Sequence, residues 1–130
     1  MTGPLRPLQG CKVLIVEDEF LVASLLQEIL ETAGCIVAGP IPRVAEAVDA
    51  ADHETYDAAI LDINVAGYRI DPVADALSRR SVPFVFVTGY STGALPAEYA
   101  DRPRLCKPFR IADLLGTLAS LVRNRSPNLA

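Results

Sequence analysis

Val13-Leu14-Ile15-Val16-Glu17-Asp18-Glu19 is the stretch from which the fold is read. Four apolar residues, three of them β-branched, are stopped at once by three carboxylates. A short, unbroken apolar run reads as a strand buried on both faces, and such strands belong to parallel sheets covered by helices on each side. Val22, Leu25, Leu26, Ile29, Leu30 and Ala33 then fall at helical spacing, and Gly34 follows as a stop signal.

The same unit recurs downstream. Cys35-Ile36-Val37-Ala38 predicts a second strand ended by Gly39-Pro40, and Val44, Ala47, Val48 and Ala51 mark a weaker helix. Ala58-Ala59-Ile60-Leu61 is a third strand, stopped at Asp62. Asp71-Pro72 reads as a helix start, with Asp71 as N-cap and Pro72 at the first helical position. Phe84-Val85-Phe86-Val87 is a fourth strand, stopped at Thr88-Gly89. Ser91 to Tyr99 predicts at most a short helix, weakened by Gly93 and Pro96. Arg104-Leu105-Cys106 is the fifth and weakest strand, and Ile111, Leu114, Leu115, Leu118 and Val122 stripe the last helix. Strict β–α alternation implies an α/β domain with helices on both faces of a parallel sheet. Five strands with right-handed crossovers fit the flavodoxin-like order 2-1-3-4-5, whose crevice lies at the carboxyl ends of the strands.

Composition agrees. The 130 residues are 51% hydrophobic and 22% charged, which excludes disorder as the main state. A net charge of −4 and a pI near 4.9 argue against nucleic acid as a partner. Cys11, Cys35 and Cys106 form no Cys-x-x-Cys pair, so neither a zinc ribbon nor a redox motif is written, and a reduced, cytoplasmic setting fits. No apolar stretch approaches the roughly 18 residues of a membrane span, and residues 1–10 do not read as a signal peptide. The expected division is a flexible leader over 1–10, one domain over 11–123 and a frayed tail over 124–130.

Polar residues cluster at the strand ends: Glu17-Asp18 after the first, Asp62 after the third, Thr88 after the fourth, Lys107-Pro108 after the fifth. A parallel sheet brings all of these to one edge. Three close carboxylates repel one another and call for a cation. Hard oxygens suit Mg²⁺, with Asp18 and Asp62 as direct ligands, the backbone carbonyl of Asn64 nearby and Glu17 acting through water. A carboxylate beside such an ion can attack phosphorus and form an aspartyl phosphate. Asp62, alone on the central part of the edge, is the expected nucleophile, and Thr88 and Lys107 would neutralise the transferred oxygens. Blander readings exist. Glu17 and Asp18 also suit the N-terminus of the following helix, Thr88-Gly89 suits a turn, and lysine is usually a solvated residue. Against the last, Lys107 is one of only two lysines among twelve basic residues.

Taken together, Val16-Glu17-Asp18-Glu19, Leu61-Asp62, Val87-Thr88-Gly89 and Lys107-Pro108-Phe109 resemble the receiver domain of bacterial two-component response regulators, over about residues 11–123. The resemblance implies that a histidine kinase or phosphotransfer protein donates a phosphoryl group to Asp62, and that the domain catalyses only its own phosphorylation and dephosphorylation. Phe86-Val87-Thr88-Gly89-Tyr90 is similar to a Phe-x-Thr-Gly-Tyr subset often paired with kinases of the HWE or HisKA2 type. Two positions depart from the common pattern. Leu105 stands where most receivers have an aromatic switch residue, which brings Tyr90 forward beside Thr88 as a switch candidate. Ala66-Gly67 replaces the common proline after the acceptor, which suggests a more mobile loop. Only eight residues follow Val122, so the expected output is contact with a downstream protein, or service as a phosphoryl shuttle or sink. The competing reading is a Mg²⁺-dependent phosphatase with an aspartate nucleophile. It lacks a general acid, because Asn64 stands two residues after Asp62. His53 is expected on the surface, Lys12 begins a strand far from the carboxyl edge and is given no role, and Cys106 is expected to be buried.

Overall fold

The computed structural model describes residues 8–89 and 97–124. In chain order the elements are β1 (Lys12–Val16), α1 (Phe20–Thr32), β2 (Ile36–Ile41), α2 (Val44–His53), β3 (Ala58–Leu61), β4 (Asn64–Val65), β5 (Tyr68–Arg69), α3 (Asp71–Arg79), β6 (Phe84–Thr88), a 3₁₀ turn (Ala97–Tyr99), β7 (Arg104–Cys106) and α4 (Ile111–Asn124). The main sheet is parallel and ordered β2-β1-β3-β6-β7, the expected 2-1-3-4-5 arrangement of its five strands.

The two-residue period of the strands sorts the core into two layers. Leu14, Val16, Ala59, Leu61, Phe84 and Phe86 pack with Ala47 and Ala51 of α2 and Val73, Ala74 and Leu77 of α3. Val13, Ile15, Ala58, Ile60, Val85 and Val87 pack with Leu26, Ile29 and Leu30 of α1 and Leu114 and Leu118 of α4. Among the described residues, two helices thus cover each face. Every residue of β3 and β6 is buried, which is why those strands read as unbroken apolar runs. Phe84 meets Phe86 and Tyr99 edge-to-face, with ring centroids 5.4 and 5.5 Å apart.

Several local expectations are corrected. The second strand does not end at Gly39-Pro40; β2 continues to Ile41 through an irregularity opposite Leu14 to Val16. Gly39 makes that possible at φ +97°, since a Cβ there would lie 2.7 Å from the Ile41 nitrogen and 2.8 Å from the Ile15 oxygen. Asp71 is the first helical residue of α3 rather than its N-cap, a position held by Ile70, and the Asp71 carboxylate meets Arg69 Nε at 3.1 Å. The segment after the acceptor is a hairpin: β4 and β5 pair across Ala66 and Gly67, both at positive φ (52° and 86°). A two-residue turn of that hand matches the twist of the strands it joins, so the segment read as a loop is a short hairpin. The end of the leader is also structured: Leu8 is buried, and the Gly10 amide donates to the Gly34 carbonyl at 2.8 Å. Residues 1–7 and 125–130, and the switch candidate Tyr90 with the first six residues of the expected fourth helix, lie outside the described residues. Cys106 is exposed, because Leu105 takes the α4 side of edge strand β7 and its neighbours alternate away.

Candidate functional site at the carboxyl edge of the sheet

Sheet pairing carries the strand-end residues to one place. The Asp62 amide donates to the Val16 carbonyl at 3.1 Å, which sets the end of β3 beside the end of β1. The Glu17 amide donates to the Ile41 carbonyl at 3.1 Å, so the extension of β2 past Gly39 holds the first carboxylate in line. Thr88 pairs with Cys106 in register, and the Lys107 amide donates to the Thr88 carbonyl at 2.8 Å. Thr88 and Lys107 are therefore adjacent on neighbouring strands, and Thr88 is buried.

Glu17, Asp18 and Asp62 each offer a carboxylate oxygen within 4.8 Å of the others. They differ in surroundings: Glu17 is 2% exposed, Asp62 is half-buried and Asp18 is open to solvent. Lys107 reaches into the group. Its Nζ lies 3.0 Å from Glu17 Oε1, 2.7 Å from Glu19 Oε1 and 3.1 Å from Asp62 Oδ2. The Ala66 amide donates to Asp18 Oδ2 at 2.9 Å, so the hairpin turn is tied to the same cluster. Asn64 opens β4, two residues beyond Asp62, with its side chain exposed.

Burial dominates the electrostatics of Glu17. Desolvation pushes its carboxyl up to about 7, with help from nearby Asp62 and against the hydrogen bonds from the Glu19 amide and Lys107. Lys107 is held above the ordinary lysine value. Its burial acts the other way, but the Glu19 and Glu17 hydrogen bonds and the charge of Asp62 outweigh it. An all-carboxylate donor set of this span fits a hard divalent cation such as Mg²⁺. The ammonium beside it fits an anion carried on Asp62.

Sequence reasoning found Glu17, Asp18, Asp62, Thr88 and Lys107, and the fold brings all five to this edge. It missed Glu19, because a carboxylate one residue further along a turn carries no periodic signal. It also missed the Ala66 tie to Asp18, which depends on a hairpin too short to read. The bystanders lie where expected. Lys12 Nζ pairs with Glu54 at 3.0 Å, and exposed His53 ends α2 with its Nδ1 2.8 Å from the Asp49 carbonyl. Beside Lys107 a cleft of about 470 Å³ is lined by Glu19, Val22, Leu25, Gly89, Pro108 and Phe109, and Phe20 and Leu21 stand exposed in the first turn of α1. No helix among the described residues is long and apolar enough to cross a membrane.

Known proteins resemble this chain in sequence and fold. The chain is similar to the phyllosphere-induced regulator PhyR of Methylorubrum extorquens, with 33% identity over 112 residues, covering 83% of this chain and 42% of that protein. It thus spans less than half the length of that relative. The solution structure of SdrG from Sphingomonas melonis Fr1 superposes with a TM-score of 0.78 at 40% identity, over 87% of this chain and 97% of that one. The receiver domain of the sensor histidine kinase PA1611 from Pseudomonas aeruginosa PAO1 shares the fold, with a TM-score of 0.79 at 21% identity, over 88% of this chain and 99% of that one. Residues 13–119 match the family described as response regulator receiver domain, and with the acidic edge, the threonine and the lysine each on its own strand end, the chain belongs to that family.

Proposed function

We propose that this domain accepts a phosphoryl group on Asp62 from a phosphohistidine of a histidine kinase or phosphotransfer protein, and signals through the resulting change at its surface. The observation that carries this reading is the Lys107 ammonium 3.1 Å from Asp62 Oδ2 beside three carboxylates within 4.8 Å. In the transfer, an Asp62 oxygen attacks phosphorus, the N–P bond breaks, and its electron pair returns to the donor imidazole. Asp18, Asp62, the Asn64 carbonyl and, through water, Glu17 would hold Mg²⁺, which supplies charge neutralisation at the phosphoryl oxygens. The PA1611 receiver has a magnesium ion coordinated in its active site cleft, which supports the same choice here. Thr88 would donate to one phosphoryl oxygen and Lys107 pair with another. The phosphoryl group adds about −1.5 to −2 charges at one spot, enough to bias a two-state surface.

The partner is a protein. Exposed Phe20 and Leu21 and the cleft beside Lys107 suit the apolar side of a kinase helix delivering its histidine to Asp62. The Phe-x-Thr-Gly-Tyr string favours kinases of the HWE or HisKA2 type. Work in the cytoplasm, no turnover of a separate substrate, and a downstream protein or shuttle role complete the proposal. Incubation with Mg²⁺ and a small phosphodonor, read by intact mass, tests it. One labile phosphoryl adduct, absent from Asp62→Asn, is expected. No adduct, or one that survives the substitution, rejects the assignment, and steady hydrolysis of a phosphate monoester by the purified chain would favour the phosphatase instead.

A further inference from the structure

We infer that Glu19 is a positioning residue that competes with the phosphoryl group for Lys107. The inference rests on the phosphoryl-acceptor reading and adds to it a control on how readily the phosphorylated state forms.

A lysine ammonium has three donors and no more. Here all three have carboxylate acceptors: Glu17, Glu19 and Asp62 at 3.0, 2.7 and 3.1 Å. The Glu19 contact is the shortest. Glu19 occupies the N-cap of α1, where a side chain commonly turns back to its own helix, yet it makes no cap hydrogen bond. Its carboxylate reaches Lys107 across 88 residues of sequence instead.

Once Asp62 carries a phosphoryl group, the donor now on Asp62 Oδ2 follows that group, and drawing the ammonium fully onto the new oxygens pulls it away from the two acceptors that stay, Glu17 and Glu19. Glu17 is 2% exposed, and losing its cation would leave a buried carboxylate without its counter-charge. The Glu19 side chain is 62% exposed and exchanges Lys107 for water at little cost. Glu19 is therefore the acceptor that yields. While it holds on, it favours the unphosphorylated form twice, by occupying the amine and by placing a negative charge beside the incoming anion. Removing that contact favours the phosphorylated form. The side chain is exposed and its backbone amide bond to Glu17 Oε2 does not involve the carboxylate, so substitution leaves the fold intact.

The test uses the whole chain, Mg²⁺ and beryllium trifluoride, a tetrahedral mimic of a phosphoryl group on aspartate, with affinity read by calorimetry. Glu19→Gln and Glu19→Asp are both expected to bind the mimic about two- to fivefold tighter than wild type. The aspartate keeps the charge but is one methylene too short to span the contact. If only Glu19→Gln tightens binding, the effect is bulk charge and the inference falls. A second readout needs no ligand: in metal-free protein the Lys107 Hζ–Nζ NMR signal should shift or broaden in both variants. An unchanged signal overturns the inference. A wild type that binds no mimic removes the acceptor reading and this inference with it. A wild type that binds, with variants no tighter, removes the inference alone.

Discussion

Lys107 Nζ and Asp62 Oδ2 lie 3.1 Å apart across 45 residues of sequence. The contact exists because β3 and β7 flank β6 and all three end at the same edge. It makes the lysine both a structural counter-ion and a cation within hydrogen-bond reach of a group attached to Asp62.

Lys107→Ala should affect both roles. Three carboxylates would remain without their shared ammonium, one of them buried. A stability loss of roughly 1–3 kcal/mol at pH 7.5 is expected in urea titrations, shrinking at pH 5.5 or on adding Mg²⁺, because protons or the metal then relieve the repulsion. Phosphoryl transfer from a small donor should slow by about two orders of magnitude. A loss of stability that neither acid nor Mg²⁺ relieves would show that the ammonium does not serve as counter-ion.

Glu17 predicts the pH dependence of the metal-free domain. The unfolded chain releases this proton near 4.5, whereas the folded state keeps it until about 7. Between those values the folded state binds more protons, so stability should fall as pH rises through that window and level off above it, by an amount on the order of 2–3 kcal/mol. Lys107 acts elsewhere. Its folded value is raised, so its contribution is present below 10.5 and is lost only at more alkaline pH. Glu17→Gln should flatten the slope between pH 4.5 and 7, measured by denaturant melts in a chelator. A slope unchanged by the substitution would place the proton elsewhere.

Mg²⁺ affinity should run the opposite way with pH. A bound cation favours the ionised carboxyl, so binding displaces the Glu17 proton below pH 7. The association constant is expected to climb by up to about tenfold per pH unit between 5 and 7 and to plateau above. Calorimetry in two buffers of different ionisation enthalpy reads the released proton directly. Binding without proton release at pH 6 would exclude Glu17 from the site.

Gly39→Ala should be among the more damaging single-atom additions. The residue holds φ at +97°, and its new Cβ would meet backbone rather than a movable side chain. A cost of about 2–4 kcal/mol is expected, with the end of β2 displaced and the Ile41–Glu17 hydrogen bond weakened. Thermal melts and the Glu17 amide exchange rate check it. Unchanged values would mean that the irregularity tolerates a side chain.

Ala66→Gly should do the reverse. Ala66 sits at φ 52° while donating its amide to Asp18. Glycine keeps the donor and removes the Cβ penalty, so a gain of up to roughly 1 kcal/mol is expected, offset by the added freedom of the unfolded chain. Ala66→Pro removes the donor and imposes a negative φ, so it should destabilise the hairpin. A proline variant as stable as wild type would show that the tie to Asp18 carries no weight.

By itself the sequence determined the five strands, their parallel order and the five polar residues at their ends. Buried strands are written as apolar runs such as Ala58–Leu61 and Phe84–Val87, and a run ends in sequence where it leaves the core. What lay hidden is local or non-periodic. β4 and β5 have two residues each, too few for alternation to show. β2 runs through Gly39-Pro40 because a glycine with positive φ turns a break signal into a bulge. Cys106 reads as apolar but lies on the open side of an edge strand. Glu19 looks like one more acidic residue before a helix until the fold lays Lys107 across it. Periodicity reports which residues face the core, whereas the pairing of one charge with another depends on distances that only the closed sheet sets.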